Sequence, residues 1–262
     1  MSDWRVMELQ GIHNFRDYGG YGVADGRRIK RGLLWRSGQH AGATDPDLER
    51  VDGVGLATVF DLRTAREREL FACRRPEKFS AQIRYSANPE QPKSAPHVEA
   101  ARQSGGSTAE DVKAMMRDLY AGIAFRSELV AMTRGLAQEL IAQTGPTLVN
   151  CMAGKDRTGM AVAAIHLAVG VSQEDVMADY LLTNTAGDPE ARIQAGIHSV
   201  MGMGDGIGED AARAIMGVEP EYLAAALDAI NERHGSVDCY LTDVLGLDDR
   251  ARERLKDAIT EG

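Results

Sequence analysis

A chain of 262 residues with 44% hydrophobic and 26% charged residues can bury a substantial core, as one large α/β domain or two small ones. Its net charge of −9 argues against a general nucleic-acid binder, which needs a basic face, but leaves room for an anionic substrate in a locally positive pocket. Three cysteines, Cys73, Cys151 and Cys239, suit a reducing compartment. The start MSDWRVMELQ has no apolar stretch after a basic one, and no run of about 18 apolar residues occurs anywhere. A cytoplasmic protein without leader or membrane span is expected. The histidines are scattered without paired ligand spacing, so neither a metal nor a cofactor is called for.

Along the chain, Asp25-Gly26 between short alternating segments signals a hairpin. Residues 57–63, ATVFDLR, read as a buried parallel strand ending in charge. Thr64 and Glu67 form a T-x-x-E capping box, so a helix starts directly after Arg63. Residues 86–108 are rich in Pro, Ser, Gly and charge and read as a long loop. Helices are expected at about 109–124 and 126–143, the second stopped by Gly145-Pro146.

Residues 147–159, TLVNCMAGKDRTG, carry the most chemistry. A strand would deliver Cys151 to a loop of small residues whose backbone N–H groups face inward. Arg157 would close the ring, and a helix from Thr158 would aim its positive end at the same point. Such a nest binds a phosphate dianion and stabilises a thiolate. A nucleotide-binding loop of the G-x-x-x-x-G-K-[ST] type fails twice, since Asp156 follows Gly154-Lys155 and Val149 stands where the first glycine belongs. A buried structural cysteine would explain Cys151 alone, but not the residues at the offsets that follow it.

The helix after this loop is apolar on nearly every side and should lie at the centre of the fold, with His166 as a core histidine. Ser172, followed by Glu174 and Asp175, opens another helix through Leu182. Residues 186–217 combine an Asp188-Pro189 helix start, apolar positions Ile193, Ile197 and Val200, and the alternating glycines Gly202, Gly204, Gly206 and Gly208. They read either as two helices on a glycine hinge, forming a lid, or as an ordinary helical excursion with a loose loop. Three amphipathic helices, separated by Gly235 and Gly246, complete the chain as scaffold.

These pieces resemble the bacterial tyrosine/serine protein phosphatase family, whose members act on phosphoproteins and phosphoinositides and include lid-bearing virulence phosphatases. The resemblance is carried by Asn14-Phe15-Arg16-Asp17 with Gly19-Gly20, LLWRSGQ at 33–39, Asp61-Leu62-Arg63, the CxxGKDRTG loop, DYLLTN at 179–184, and VEPEYL through GSVDCYL near the end. It implies one phosphatase domain with a protein-tyrosine-phosphatase-like α/β fold: a central, mostly parallel sheet flanked by helices, with a helical lid. It also leaves room for export without a recognisable leader. Asn150 departs from the pattern, which usually has histidine before the nucleophile; asparagine can hydrogen-bond but carries no charge to help hold a thiolate.

The implied reaction is metal-free phosphomonoester hydrolysis through a cysteinyl-phosphate at Cys151. Amides of Met152, Ala153, Gly154, Lys155, Asp156 and Arg157 would bind the transferring oxygens, with the Arg157 fork adding a bidentate contact. Thr158 could donate its hydroxyl to the sulfur. Lys155 is expected to carry positive charge toward the cleft mouth, which in related loops favours highly phosphorylated substrates. Two carboxylates could serve as general acid: Asp156, favoured by the resemblance, and Asp61, at the end of its strand. Arg36 and Arg63 are possible phosphate contacts. A catalytically weak phosphate-binding module and a rhodanese-like sulfurtransferase are the alternatives, and oligomeric state stays open.

Overall fold

The computed structural model describes residues 3–86, 108–191, 193–194 and 209–262. Most of the loop expected at 86–108 and the glycine run expected to hinge a lid lie outside the described residues. Among those described, no helix is long and apolar enough to cross a membrane.

The central sheet is built from β1 (Arg16–Asp17), β3 (Leu34–Ser37), β4 (Thr58–Asp61), β5 (Gln82–Tyr85) and β6 (Thr147–Asn150), in the order β1-β3-β6-β4-β5. All pairings are parallel except β1 with β3. Period-two alternation decides what each strand buries on either face. Val59 and Leu148 turn to one face and pack with Phe15, Leu48 and Val51, the last two from helix α1 (Asp45–Asp52). Phe60 and Val149 turn to the other, where the larger core lies.

That larger core is covered by α3 (Ala109–Ile123), α4 (Ser127–Ala142), α5 (Asp156–Ala168), α6 (Gln173–Leu181), α7 (Glu209–Met216), α8 (Pro220–His234), α9 (Val237–Asp243) and α10 (Asp249–Ile259). Helix α5 is buried along nearly its whole length, as its apolar composition requires. Its His166 is a core histidine whose Nε2 lies 2.8 Å from the Tyr18 carbonyl. Helix α2 (Ala65–Leu70) begins with the expected capping box, Thr64 N–H donating to Glu67 Oε2 at 2.7 Å and Glu67 N–H to Thr64 Oγ1 at 3.2 Å. Asp188 likewise accepts from the Ala191 amide at 2.8 Å.

The hairpin expected at Asp25-Gly26 is present: Gly26 takes φ +91° at the turn, and around the Gly22–Arg28 bridge Val23 N–H donates to Arg27 C=O at 2.9 Å, Ile29 N–H to Tyr21 C=O at 2.9 Å and Gly20 N–H to Ile29 C=O at 2.8 Å. Strand β2 (Arg28–Ile29) pairs on its other side with β7 (Thr260–Glu261).

Register places the site. Ser37, Asn150 and Asp61 stand side by side at the carboxyl ends of β3, β6 and β4, the edge where open parallel sheets form their crevice. Cys151 is the next residue along the central strand.

Candidate active site

Leu148 and Val149 anchor β6 in the two cores and carry Cys151, 2% exposed, to the sheet end. The loop from Cys151 to Lys155 then turns directly into α5. Its carbonyls are tied outward. Met152 C=O accepts from the Gln39 amide at 3.0 Å, and Gly154 C=O accepts from Asn14 Nδ2 and Arg36 Nη2, each at 2.8 Å. In a planar trans peptide the N–H points opposite the C=O, so the amides of Ala153 and Lys155 are turned to the inner side of the loop. Gly154 has φ +68°, and a Cβ there would lie 2.4 Å from the Ser37 carbonyl carbon. Only glycine lets the loop sit this close on β3.

Arg157, in the first turn of α5, is held by a residue the sequence marks only as a helix cap. Its Nη1 and Nη2 donate to the two carboxylate oxygens of Glu67 at 2.7 and 2.9 Å, and Nη1 also donates to Leu62 C=O at 3.0 Å. Burial works against its charge, but Glu67 and the nearby Cys151 outweigh it, so the pKa of Arg157 is raised above the ordinary arginine value. Glu67 closes one edge of the guanidinium. The opposite edge, Nε–H with the second Nη2–H, remains, and Nε is buried with no hydrogen-bond partner. Thr158 Oγ1 in the same turn is likewise buried without a partner.

Both candidate acids are engaged. Asp61 is gripped by Arg63, whose Nε and Nη2 reach its two oxygens at 2.8 and 2.7 Å. Asn150 Nδ2 stands 3.5 Å from Asp61 Oδ1, so Asn150 faces the neighbouring strand end. Asp156 accepts from the Tyr120 hydroxyl at 2.8 Å, and Tyr180 donates in turn to Tyr120 at 2.8 Å. Burial, with Asp156 next, pushes the Tyr120 pKa well above the usual tyrosine range, so its phenol serves as donor. Lys155 Nζ completes the group, 3.0 Å from Asp156 Oδ1.

Lys155 does not project to a cleft mouth. It is fully buried, and its ammonium donates to the carbonyls of Ile215 at 2.6 Å and Gly217 at 3.1 Å. The cause lies at the C-terminus of α7, whose last carbonyls lack helical partners and attract a cation. Arg36 is also fully buried; its two Nη groups are taken up by Asp179 Oδ2 at 2.6 Å and by Gly154 C=O, and only its Nε lacks a partner. Arg63 is spent on Asp61 and on Phe71 C=O at 2.6 Å. Neither arginine stands as a free phosphate ligand.

Asp179 of α6 is the hub behind the loop. It takes Arg36 on one oxygen and Arg16 on the other at 3.3 Å, and its backbone carbonyl accepts from Arg16 Nη2 at 2.7 Å. Burial raises its pKa, but Arg16 and Arg36 outweigh that and leave it well below the ordinary carboxylate range. Sequence reading found DYLLTN as a signature but assigned its aspartate no task. It likewise missed Glu67 as the partner of Arg157, and Asn14. The signals were there: an acid inside a motif, and a glutamate four residues beyond Arg63 at the strand end. Neither indicates which distant cation it meets.

The strand–loop–helix unit at the sheet's carboxyl edge, with Cys151 and Arg157 on it, and the mixed sheet flanked by helices are those of an α/β protein of tyrosine-phosphatase-like fold. Comparison with known proteins agrees: residues 7–261 match the family model described as the tyrosine phosphatase family. A Cupriavidus necator protein bearing the name of a tyrosine-protein phosphatase is 34% identical over 243 residues, covering 90% of this chain and 83% of its own length. The triple specificity protein phosphatase PtpB of Mycobacterium tuberculosis is 31% identical over 268 residues, covering 91% of this chain and 93% of its own. The chain belongs to the tyrosine phosphatase family, and its activity is that of a protein-tyrosine phosphatase.

Proposed function

We propose that the chain hydrolyses phosphotyrosine in proteins, with phosphoserine, phosphothreonine and phosphoinositides as further substrates, through a cysteinyl-phosphate at Cys151 and without a metal. The observation that carries this reading is the open edge of Arg157. Glu67 and Leu62 take up one side of the guanidinium, and the side left over has the side-on geometry that pairs two parallel N–H groups with two phosphate oxygens. The inward amides of Ala153 and Lys155 supply donors for the remaining charge. The range of substrates draws support from the relative named as a triple specificity phosphatase.

In the first step the Cys151 sulfur forms a bond to phosphorus while the bond from phosphorus to the leaving oxygen breaks, and that oxygen takes a proton. Asp156 is our choice of donor over Asp61. Both oxygens of Asp61 are committed to one arginine, and carrying a proton would break that pair. Asp156 meets a phenol and an ammonium and stands next to Arg157 in the first turn of α5, directly after the reacting loop. In the second step water attacks phosphorus, the P–S bond breaks, and the same carboxylate takes the proton from water. The Thr158 hydroxyl, buried and without a partner, supports the reading in which it donates to the departing sulfur.

Hydrolysis of para-nitrophenyl phosphate in EDTA, wild type against Cys151→Ser, tests the proposal. Turnover by wild type that the serine variant lacks is the expected outcome. Equal turnover by both would refute the thiolate mechanism.

A further inference from the structure

One peptide of the loop follows a glycine. Gly154, at φ +68°, has no Cβ to oppose rotation about its own ψ. Were the Gly154–Lys155 peptide to turn over, its C=O would enter the nest in place of the Lys155 N–H. A carbonyl dipole would then face the incoming phosphate. Two donors from distant parts of the chain oppose this, Asn14 and Arg36, both at 2.8 Å from the Gly154 oxygen.

Each donor is itself set by another group. Asn14 stands in the left-handed region at φ +60°, which asparagine tolerates better than most residues. Its carbonyl oxygen is held by Arg16 Nη1. Arginine has no acceptor, so the Asn14 atom facing it is the oxygen, and the amide nitrogen is obliged to face Gly154. Arg36 is oriented by its 2.6 Å bond to Asp179 Oδ2, and Arg16 by its 3.3 Å bond to Asp179 Oδ1. The side chains of Arg16 and Arg36 are fully buried. One carboxylate therefore aims both arms at the same carbonyl.

We infer that Asp179 is a positioning residue for catalysis: through Arg36, and through Arg16 and Asn14, it locks the Gly154–Lys155 peptide with its carbonyl out and its N–H toward the phosphate. The inference rests on the reading of this loop as a phosphate cradle. Asp179 touches no reacting atom. Its contribution is the orientation of one amide donor, and it acts on phosphate binding even where no bond is broken.

The test is protection of Cys151 from iodoacetamide by inorganic phosphate, which needs no turnover, run alongside kcat and KM for para-nitrophenyl phosphate. The variants are Asp179→Asn, Asn14→Gly (which keeps the positive φ and deletes one arm), their combination, and Glu174→Gln on the exposed part of α6 as control. Circular dichroism and melting confirm folding. The phosphate concentration giving half-protection should rise about tenfold in each single variant, the size of one lost hydrogen bond to a charged ligand. The pair should fall well short of the product of the two effects, since both act through one carbonyl. The control should match wild type. A purely packing role for Asp179 would lower the melting temperature while leaving half-protection unchanged in the folded fraction, and that result overturns the inference. So does wild-type protection in folded Asn14→Gly. A wild type that phosphate does not protect refutes the reading of the loop itself, which is a different failure.

Discussion

Replacing Glu67 by glutamine separates the two tasks this residue performs. The carboxylate receives Arg157 on both oxygens, at 2.7 and 2.9 Å, and its Oε2 also receives the Thr64 amide at 2.7 Å. A glutamine whose oxygen takes the Oε2 position keeps the helix cap and the Nη1 contact. Its amide N–H then faces the Nη2–H of Arg157, donor against donor. The arginine side chain is 7% exposed and that of Glu67 10%, so water offers little substitute. The loss is about one hydrogen bond to a charged group, ~1.5–3 kcal/mol. If the Arg157 fork swings away from the loop as a result, most of that loss appears in the transition state under the proposed mechanism, in which the fork binds the transferring oxygens. We therefore expect kcat/KM to fall by roughly 10- to 100-fold at ~1.4 kcal/mol per tenfold. Inorganic phosphate should inhibit correspondingly less, and the cap-preserving change should lower the melting temperature only slightly. Steady-state kinetics on para-nitrophenyl phosphate and on a phosphotyrosine peptide, with phosphate as inhibitor, read this out. A folded Glu67→Gln enzyme with kcat/KM and phosphate inhibition within twofold of wild type would show that Glu67 does not aim the arginine.

Three further outcomes are expected. Asp156→Asn should slow hydrolysis of alkyl phosphates by about 100-fold while costing activated aryl esters far less, with Asp61→Asn showing no such leaving-group dependence; the reverse pattern would move the acid to Asp61. Gly154→Ala should abolish activity and destabilise the fold, because its Cβ would fall 2.4 Å from the Ser37 carbonyl carbon at a positive φ; an active, stable variant contradicts the loop geometry. Burial, then the cations of Arg75 and Arg63, depress the His40 pKa to about 3 against the opposing pull of Asp47. The unfolded chain therefore takes up the proton first. The stability from neutral His40 is complete above pH ~6.5 and is lost on acidification toward about 3, by up to ~1.4 kcal/mol per pH unit. Urea unfolding at pH 7 and pH 5 should show a steeper loss for wild type than for His40→Gln, and equal slopes would sink the argument. His166, also depressed by burial, contributes in the same direction in both proteins.

What could be read in advance divides along physical lines. Period and punctuation mark the long elements, so the helices at 109–123 and 127–142, the buried α5 and the capping box of α2 stand where local pattern puts them. Cys151, the loop and Arg157 were legible because one strand–loop–helix unit contains them all. Strands β1, β3 and β5 each carry an arginine, in RD, LWRS and QIRY, and so lack the charge-free apolar centre that declares β4 and β6 at no greater length. Lys155 misled because a loop lysine looks solvated until the unsatisfied end of α7 is seen beside it. Asp179 and Glu67 were out of reach for a different reason. Their partners lie 143 and 90 residues away, and a single sequence gives no means of pairing charges at such separation.

The alignment of Ser37, Asn150 and Asp61 across three parallel strands also sets when the cradle comes into being. None of these strand ends is a neighbour of another in sequence, and parallel pairings of this range close late because loop entropy must first be overcome. The first arms on the Gly154 carbonyl come from Asn14 and Arg36, more than 100 residues upstream. A nascent or partly unfolded chain thus carries an ordinary cysteine and an unaimed arginine. On the proposed reading of the loop as a phosphate cradle, anion affinity arrives with the last native contacts, so phosphate and its analogues should act as ligands of the finished fold alone and raise its melting temperature by mass action.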